Sequence, residues 1–69
     1  MKRNEVSSSN IASIGYDSDS ETLEIEFKGG GVYRYEGVPK EVYAKLMDAS
    51  SKGKYFHAYI RDRYKTVQV

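Results

Sequence analysis

Hydrophobic and polar positions alternate most cleanly between Thr22 and Phe27, where Leu23, Ile25 and Phe27 are separated by Glu24 and Glu26. A period of two gives a strand with one buried and one wet face. Gly29-Gly30-Gly31 then supplies the positive φ angles of a tight reversal. Val32 to Glu36 returns as a second strand. Arg34 and Glu36 belong in water, so Tyr33 and Tyr35 share the apolar face with Leu23, Ile25 and Phe27. Upstream, Ile11 to Tyr16 reads as a further strand with Ala12, Ile14 and Tyr16 on one face, and Gly15 marks a weak point or bulge. Asp17 to Glu21 is a turn by composition. Residues 1–8 are polar and serine-rich without periodicity and are expected to form a loose, flexible tail, leaving residues 9–69 as one domain.

The period changes after Val38. Pro39 suits a first helical turn and Glu41 favours the helix dipole. Val42, Leu46 and Ala49 follow at i, i+4 and i+7, flanked by Tyr43 and Met47, which predicts an amphipathic helix. Ser50 to Gly53 interrupts it, with Gly53 as C-cap or hinge. Phe56, Ile60 and Tyr64 recur every four residues, so a second helix is expected from about Lys54 to Tyr64, its stripe widened by Tyr55 and Tyr59. Val67 and Val69 alternate in a closing segment that reads as a short edge strand or an interface tail. Strands followed by helices, β-β-β-α-α, indicate an α+β fold: a three-stranded antiparallel meander with two helices on one face.

Length limits the rest. A chain of 69 residues buries a small core and has no cysteine for disulfides or thiolate metal sites. Association with a second copy is one remedy, so a homo-oligomer is a candidate state. No apolar run reaches the roughly 20 residues of a membrane span, and the basic start lacks the apolar stretch of a secretory signal, which points to the cytoplasm.

Charge and chemistry are uneven along the chain. Residues 1–37 carry four basic and seven acidic side chains, residues 38–69 seven basic and three acidic. On the expected second helix, Lys54, His57, Arg61 and Lys65 fall on one side, with Lys52 just before them. Such a stripe suits phosphates, and the N–H groups at the helix start suit an anion. A solvated helix face is the ordinary alternative. Tyr55, at the edge of the stripe, is placed to stack a base. Tyr33 and Tyr35 resemble stacking platforms on strands, but their parity with the core favours burial. The three glycines are not a phosphate loop, because no Lys-Ser/Thr follows and a strand comes next. Asp17-x-Asp-x-Glu21 fails as a calcium loop, with Thr22 and Lys28 at its sixth and twelfth positions. His57 is the only histidine, and no Gly-x-Ser-x-Gly elbow is present. These absences argue against an enzyme, a metal site and a cofactor.

Several blocks together resemble a known family. Ile14-Gly-Tyr-Asp17, Leu23-Glu-Ile-Glu-Phe27, Gly31-Val-Tyr-Arg-Tyr-Glu-Gly-Val-Pro39, Val42-Tyr43, Ala49 to Phe56, and Ile60-Arg61 with Tyr64 resemble, in this order, the KTSC domain. That module occurs at the C-terminus of some lysyl-tRNA synthetases and as free-standing bacterial or phage proteins. Its Tyr-x-Tyr matches Tyr33 and Tyr35. The resemblance implies RNA binding by association. His57 departs from the asparagine expected after the aromatic pair, which argues against a catalytic role for it. The expectation is therefore a small non-enzymatic module that binds nucleic acid, RNA or single strands, through Lys52, Lys54, Tyr55, His57, Arg61 and Lys65. The alternative is a protein-interaction or homo-oligomeric module, for instance one that binds a host protein.

Overall fold

A computed structural model describes residues 1–69. The elements run β1 (Arg3–Glu5), β2 (Ile11–Asp17), β3 (Thr22–Phe27), β4 (Val32–Glu36), α1 (Lys40–Asp48), α2 (Lys52–Tyr59) and β5 (Lys65–Gln68). All five strands join one antiparallel sheet in the order β1-β2-β3-β4-β5. The α+β class and the central meander are as expected, but the sheet has five strands rather than three. No helix is long and apolar enough to cross a membrane.

β1 and β5 occupy the sheet edges, and β5 is the short edge strand, one of the two readings of the closing segment. β1 lies within the segment read as a loose tail. It has no apolar alternation because its main attachment is polar: Arg3 reaches across Gly15 to Ser13 and Glu24 on the outer face. Gly15 serves this crossing rather than a bulge. A Cβ there would lie 2.6 Å from the Lys2 carbonyl oxygen and 3.0 Å from Arg3 Cγ. The bulge sits between Ile11 and Ser13 instead. It reverses the parity of the strand, so Ile11 and Ile14 both face the core, and Ile11 takes the place expected of Ala12.

The core lies between the inner sheet face and the helices. Ile11, Ile14, Leu23, Ile25 and Tyr35 from the sheet meet Val38, Leu46, Phe56 and Ile60. Phe56 is edge-on to both Phe27 and Tyr35, with centroids 5.4 Å apart in each case. At the far end, Tyr16 stacks on Tyr43 at 4.6 Å and 7°, and its hydroxyl donates to the Val38 carbonyl at 2.6 Å. That bond ties β2 to the entry of α1. Tyr16→Phe is expected to cost about 0.5–1.5 kcal/mol, measured by urea denaturation, while keeping the ring stack. An unchanged midpoint would show that water replaces the phenol without loss.

On the outer face, Glu24 is only 3% exposed. Arg34 Nε donates to one of its oxygens at 2.7 Å and Arg3 donates to the other. Ser13 Oγ, which accepts from Arg3, donates to Glu26. Burial alone would raise the Glu24 pKa. The two guanidinium hydrogen bonds and their charges outweigh it and hold the carboxyl below its ordinary value.

The helices also differ from the expected pattern. Gly53 is not a C-cap. It is the second residue of α2 and is buried, and a Cβ there would stand 3.5 Å from Asn10 Nδ2. Ser51 caps α2 by accepting from the Lys54 N–H. α2 stops at Tyr59, not Tyr64. Ile60 caps it, the Arg61 N–H bonds the Phe56 carbonyl, and Asp62 adopts a φ of 64°. This reversal frees Lys65–Gln68 to pair with β4, with Glu36 opposite Lys65 and Tyr35 opposite Thr66.

Candidate functional site

Early termination of α2 breaks up the expected basic stripe. Lys65 lies in β5 opposite Glu36, so it belongs to the outer sheet face that carries Arg34. Lys52 bends back to donate to the Ala49 carbonyl at 3.4 Å. Lys54 is exposed near the helix start. Tyr55 turns to the opposite side of α2 from His57 and lines a separate groove. Only His57 and Arg61 of the predicted set stay together: Arg61 donates to His57 Nδ1 at 3.2 Å. Arginine has no acceptor, so this nitrogen accepts.

His57 and Arg61 stand beside a cleft that the sequence pattern did not indicate. The helices cover the sheet centre but leave the hairpin end of β3 and β4 open. The opening has a volume of about 660 Å³. Its walls come from three places: the β3–β4 turn at Lys28, Gly29 and Gly30; the entry to β2 at Ser9 and Asn10; and the α2–β5 turn at Arg61 and Asp62. Phe27, Tyr33, Tyr35 and Phe56 provide its aromatic surface. Burial, the reading that strand parity favours, holds fully for Tyr35 and in part for Tyr33. Tyr35 is 5% exposed and part of the core, yet it reaches the cleft. Tyr33 is half-buried and packs edge-on to Phe27 at 5.8 Å.

The hairpin shapes this wall. Gly31 has a φ of 90°, and a Cβ on it would meet Tyr33 Cε1 at 2.9 Å, so the ring folds against a bare backbone. The Lys28 N–H bonds the Asn10 carbonyl at 2.8 Å, which fixes the hairpin against the start of β2. Burial pushes the Tyr35 phenol up to about 12, with Tyr33 adding to the shift, Arg61 opposing it and Asp62 adding again. The hydroxyl therefore stays protonated and can donate at neutral pH. Lys28 and Arg61 supply positive charge, Asp62 one negative charge, and Asn10 an amide. Such a cleft can hold a planar ring against tyrosine and an anion beside a guanidinium. No group of three or more histidine, aspartate or glutamate side chains is placed to hold a metal ion.

Sequence reasoning missed Lys28 and Asn10. Lys28 was part of a turn and Asn10 the start of a strand, and their meeting depends on the long-range β2–β3 register. The second groove, about 600 Å³ in volume, lies between α1 and α2 and is lined by Tyr55, Tyr59, Tyr64, Lys45 and Arg63 among others. Tyr55 and Tyr59 pack with centroids 4.7 Å apart at 40°. Burial raises the Tyr55 pKa first, then the neighbouring Tyr59 and Tyr64 phenols.

Comparison with known proteins places this geometry in a family. Residues 7–64 match the KTSC domain. A KTSC domain protein of Yersinia pestis, known from its crystal structure, superposes with a TM-score of 0.97 at 43% identity, covering 99% of this chain and 96% of that one. An uncharacterized protein of Stutzerimonas stutzeri is 42% identical over 64 residues, 93% of this chain and 90% of that protein. Lysine–tRNA ligase of Trichormus variabilis is 43% identical over 59 residues, 86% of this chain but 10% of the ligase. The chain belongs to the KTSC domain family.

Proposed function

We propose that this domain binds single-stranded nucleic acid, RNA foremost, without catalysing a reaction, and that the strand enters the cleft beside Tyr33. The carrying observation is an aromatic wall left open at the hairpin end of the sheet, with Arg61 and Lys28 on its border. An unstacked base packs against tyrosine while the adjacent phosphates meet the two cations. His57 orients Arg61 through their hydrogen bond. The occurrence of a similar segment in lysine–tRNA ligases, proteins named for an RNA substrate, supports the RNA assignment.

Titration of the full chain with fluorescent single-stranded RNA at low salt tests the reading. Tyr33→Leu keeps an apolar side chain for folding and removes the stacking ring. It is expected to weaken binding by about 1–3 kcal/mol. Arg61→Ala with Lys28→Ala is expected to weaken binding further and to reduce the slope of log affinity against log salt by about 1.4, near 0.7 per lost phosphate contact. Binding that is absent at low salt, or untouched by both variants, would remove the proposal.

A further inference from the structure

The cleft and the second groove lie on either side of the turn that joins α2 to β5. Arg61 lines the first and Arg63 lines the second. Between them Asp62, at a φ of 64°, reverses the chain. One tight turn thus serves two concave surfaces that share a composition: tyrosine rings with cations close by. In the groove these are Tyr55, Tyr59 and Tyr64 with Lys45 and Arg63, against the single carboxylate of Glu41. Tyr59 is 54% exposed, the only large aromatic ring of the chain so open to solvent. Tyr55 supports one side of it. A supported ring with an open side, flanked by cations, is how stacking platforms for single strands are built.

We infer that a single strand bound in the cleft continues over the Arg61–Arg63 turn into this groove and stacks a second base on Tyr59. The inference rests on the cleft reading above and adds a second site and a path. Continuity supports it, because one turn contributes an arginine to each surface, Arg61 to the cleft and Arg63 to the groove. Size supports it as well. The domain measures 28 × 23 × 22 Å, so a strand that touches both sites needs only a few nucleotides, at the low end of the roughly 4–16 covered by a small single-strand-binding fold.

The test is a length series. Anisotropy titrations of the full chain with oligouridylates of about two and about eight nucleotides compare a strand that fills the cleft with one long enough to cross the turn. The long strand is expected to bind more tightly. Tyr59→Ala and Arg63→Ala are each expected to lower its affinity by about 5- to 100-fold, towards that of the short strand, and to leave the short strand unaffected. Both side chains are exposed, and thermal melts of the variants check that the fold is kept. Equal affinity at both lengths overturns the inference. So does an unchanged affinity of both variants for the long strand while Tyr33→Leu still weakens it, the result expected if the groove takes a peptide instead. That second outcome leaves the cleft reading intact. Failure of both strands to bind removes the two together.

Discussion

Leu46→Ala is expected to destabilise the domain by about 2–5 kcal/mol. Leu46 is the only fully buried side chain that α1 contributes, and it enters the core opposite the sheet. Val42, Tyr43 and Met47 pack around it but stay partly open. Truncation leaves a cavity beneath the one fully buried side chain of α1, and the Tyr16–Tyr43 stack and the half-buried neighbours alone would then hold the helix. A chain of this size has on the order of 3–10 kcal/mol of total stability, so the change removes a large share of it. Thermal melting followed by circular dichroism should shift down by on the order of 10–40 °C. Leu46→Met conserves volume and is expected to lose less than about 1.5 kcal/mol. A loss below about 1 kcal/mol in the alanine variant would mean that the half-buried neighbours, not Leu46, hold α1 in place.

A second large effect is expected at the outer sheet face. Arg3→Ala leaves the Glu24 carboxylate with Arg34 as its one guanidinium partner. At neutral pH the expected cost is about 1.5–3 kcal/mol, towards the lower end because the Arg3 side chain is 30% exposed. Acid should erase the difference. The native Glu24 pKa lies below its ordinary value of 4.5. Its contribution is therefore complete above that value and is lost as pH falls through the lower native pKa. Denaturant midpoints of the natural chain should stay level from about pH 7 to about pH 5 and then decline. The Arg3→Ala curve should start lower and decline less, so that the two converge. Parallel curves down to the acid limit would show that Arg3 does not hold the carboxylate in its charged form.

The meander and the start of α1 were legible because each rests on neighbours in sequence, whereas α2, expected from about Lys54, begins at Lys52 and takes in Gly53. Leu23, Ile25 and Phe27 alternate whatever lies opposite them, and Pro39 begins a helix with local chemistry alone. β1 was illegible for the opposite reason. Arg3 makes sense only beside Gly15 and Glu24, and polar alternation without an apolar face gives no signal of a strand. The end of α2 was misread because Phe56, Ile60 and Tyr64 keep a helical spacing after the helix has stopped. Tyr64 still packs against the core, but it arrives there from a turn. The alternation of Val67 and Val69 was the available clue, since β5 can reach β4 only if the helix ends early. The expected site was divided by the same event. Extending α2 to Tyr64 put Lys65 on a stripe with Arg61, whereas pairing with β4 carried it to the other side of the sheet. The cleft went unseen because tertiary packing, not periodicity, decides where a helical layer stops.

The position of β5 also bears on how the molecule forms. β2, β3 and β4 are joined by short turns and can assemble from nearby segments, whereas β5 must wait until α1 and α2 have returned the chain to β4. Closing that long loop carries an entropic cost before any pairing rewards it. Pairing of β5 with β4 is therefore expected late in folding, as the step that completes the sheet edge. Fraying of that edge strand would leave the turn tied to α2 by the Arg61–Phe56 and Arg63–Ile60 bonds, with the meander beneath intact.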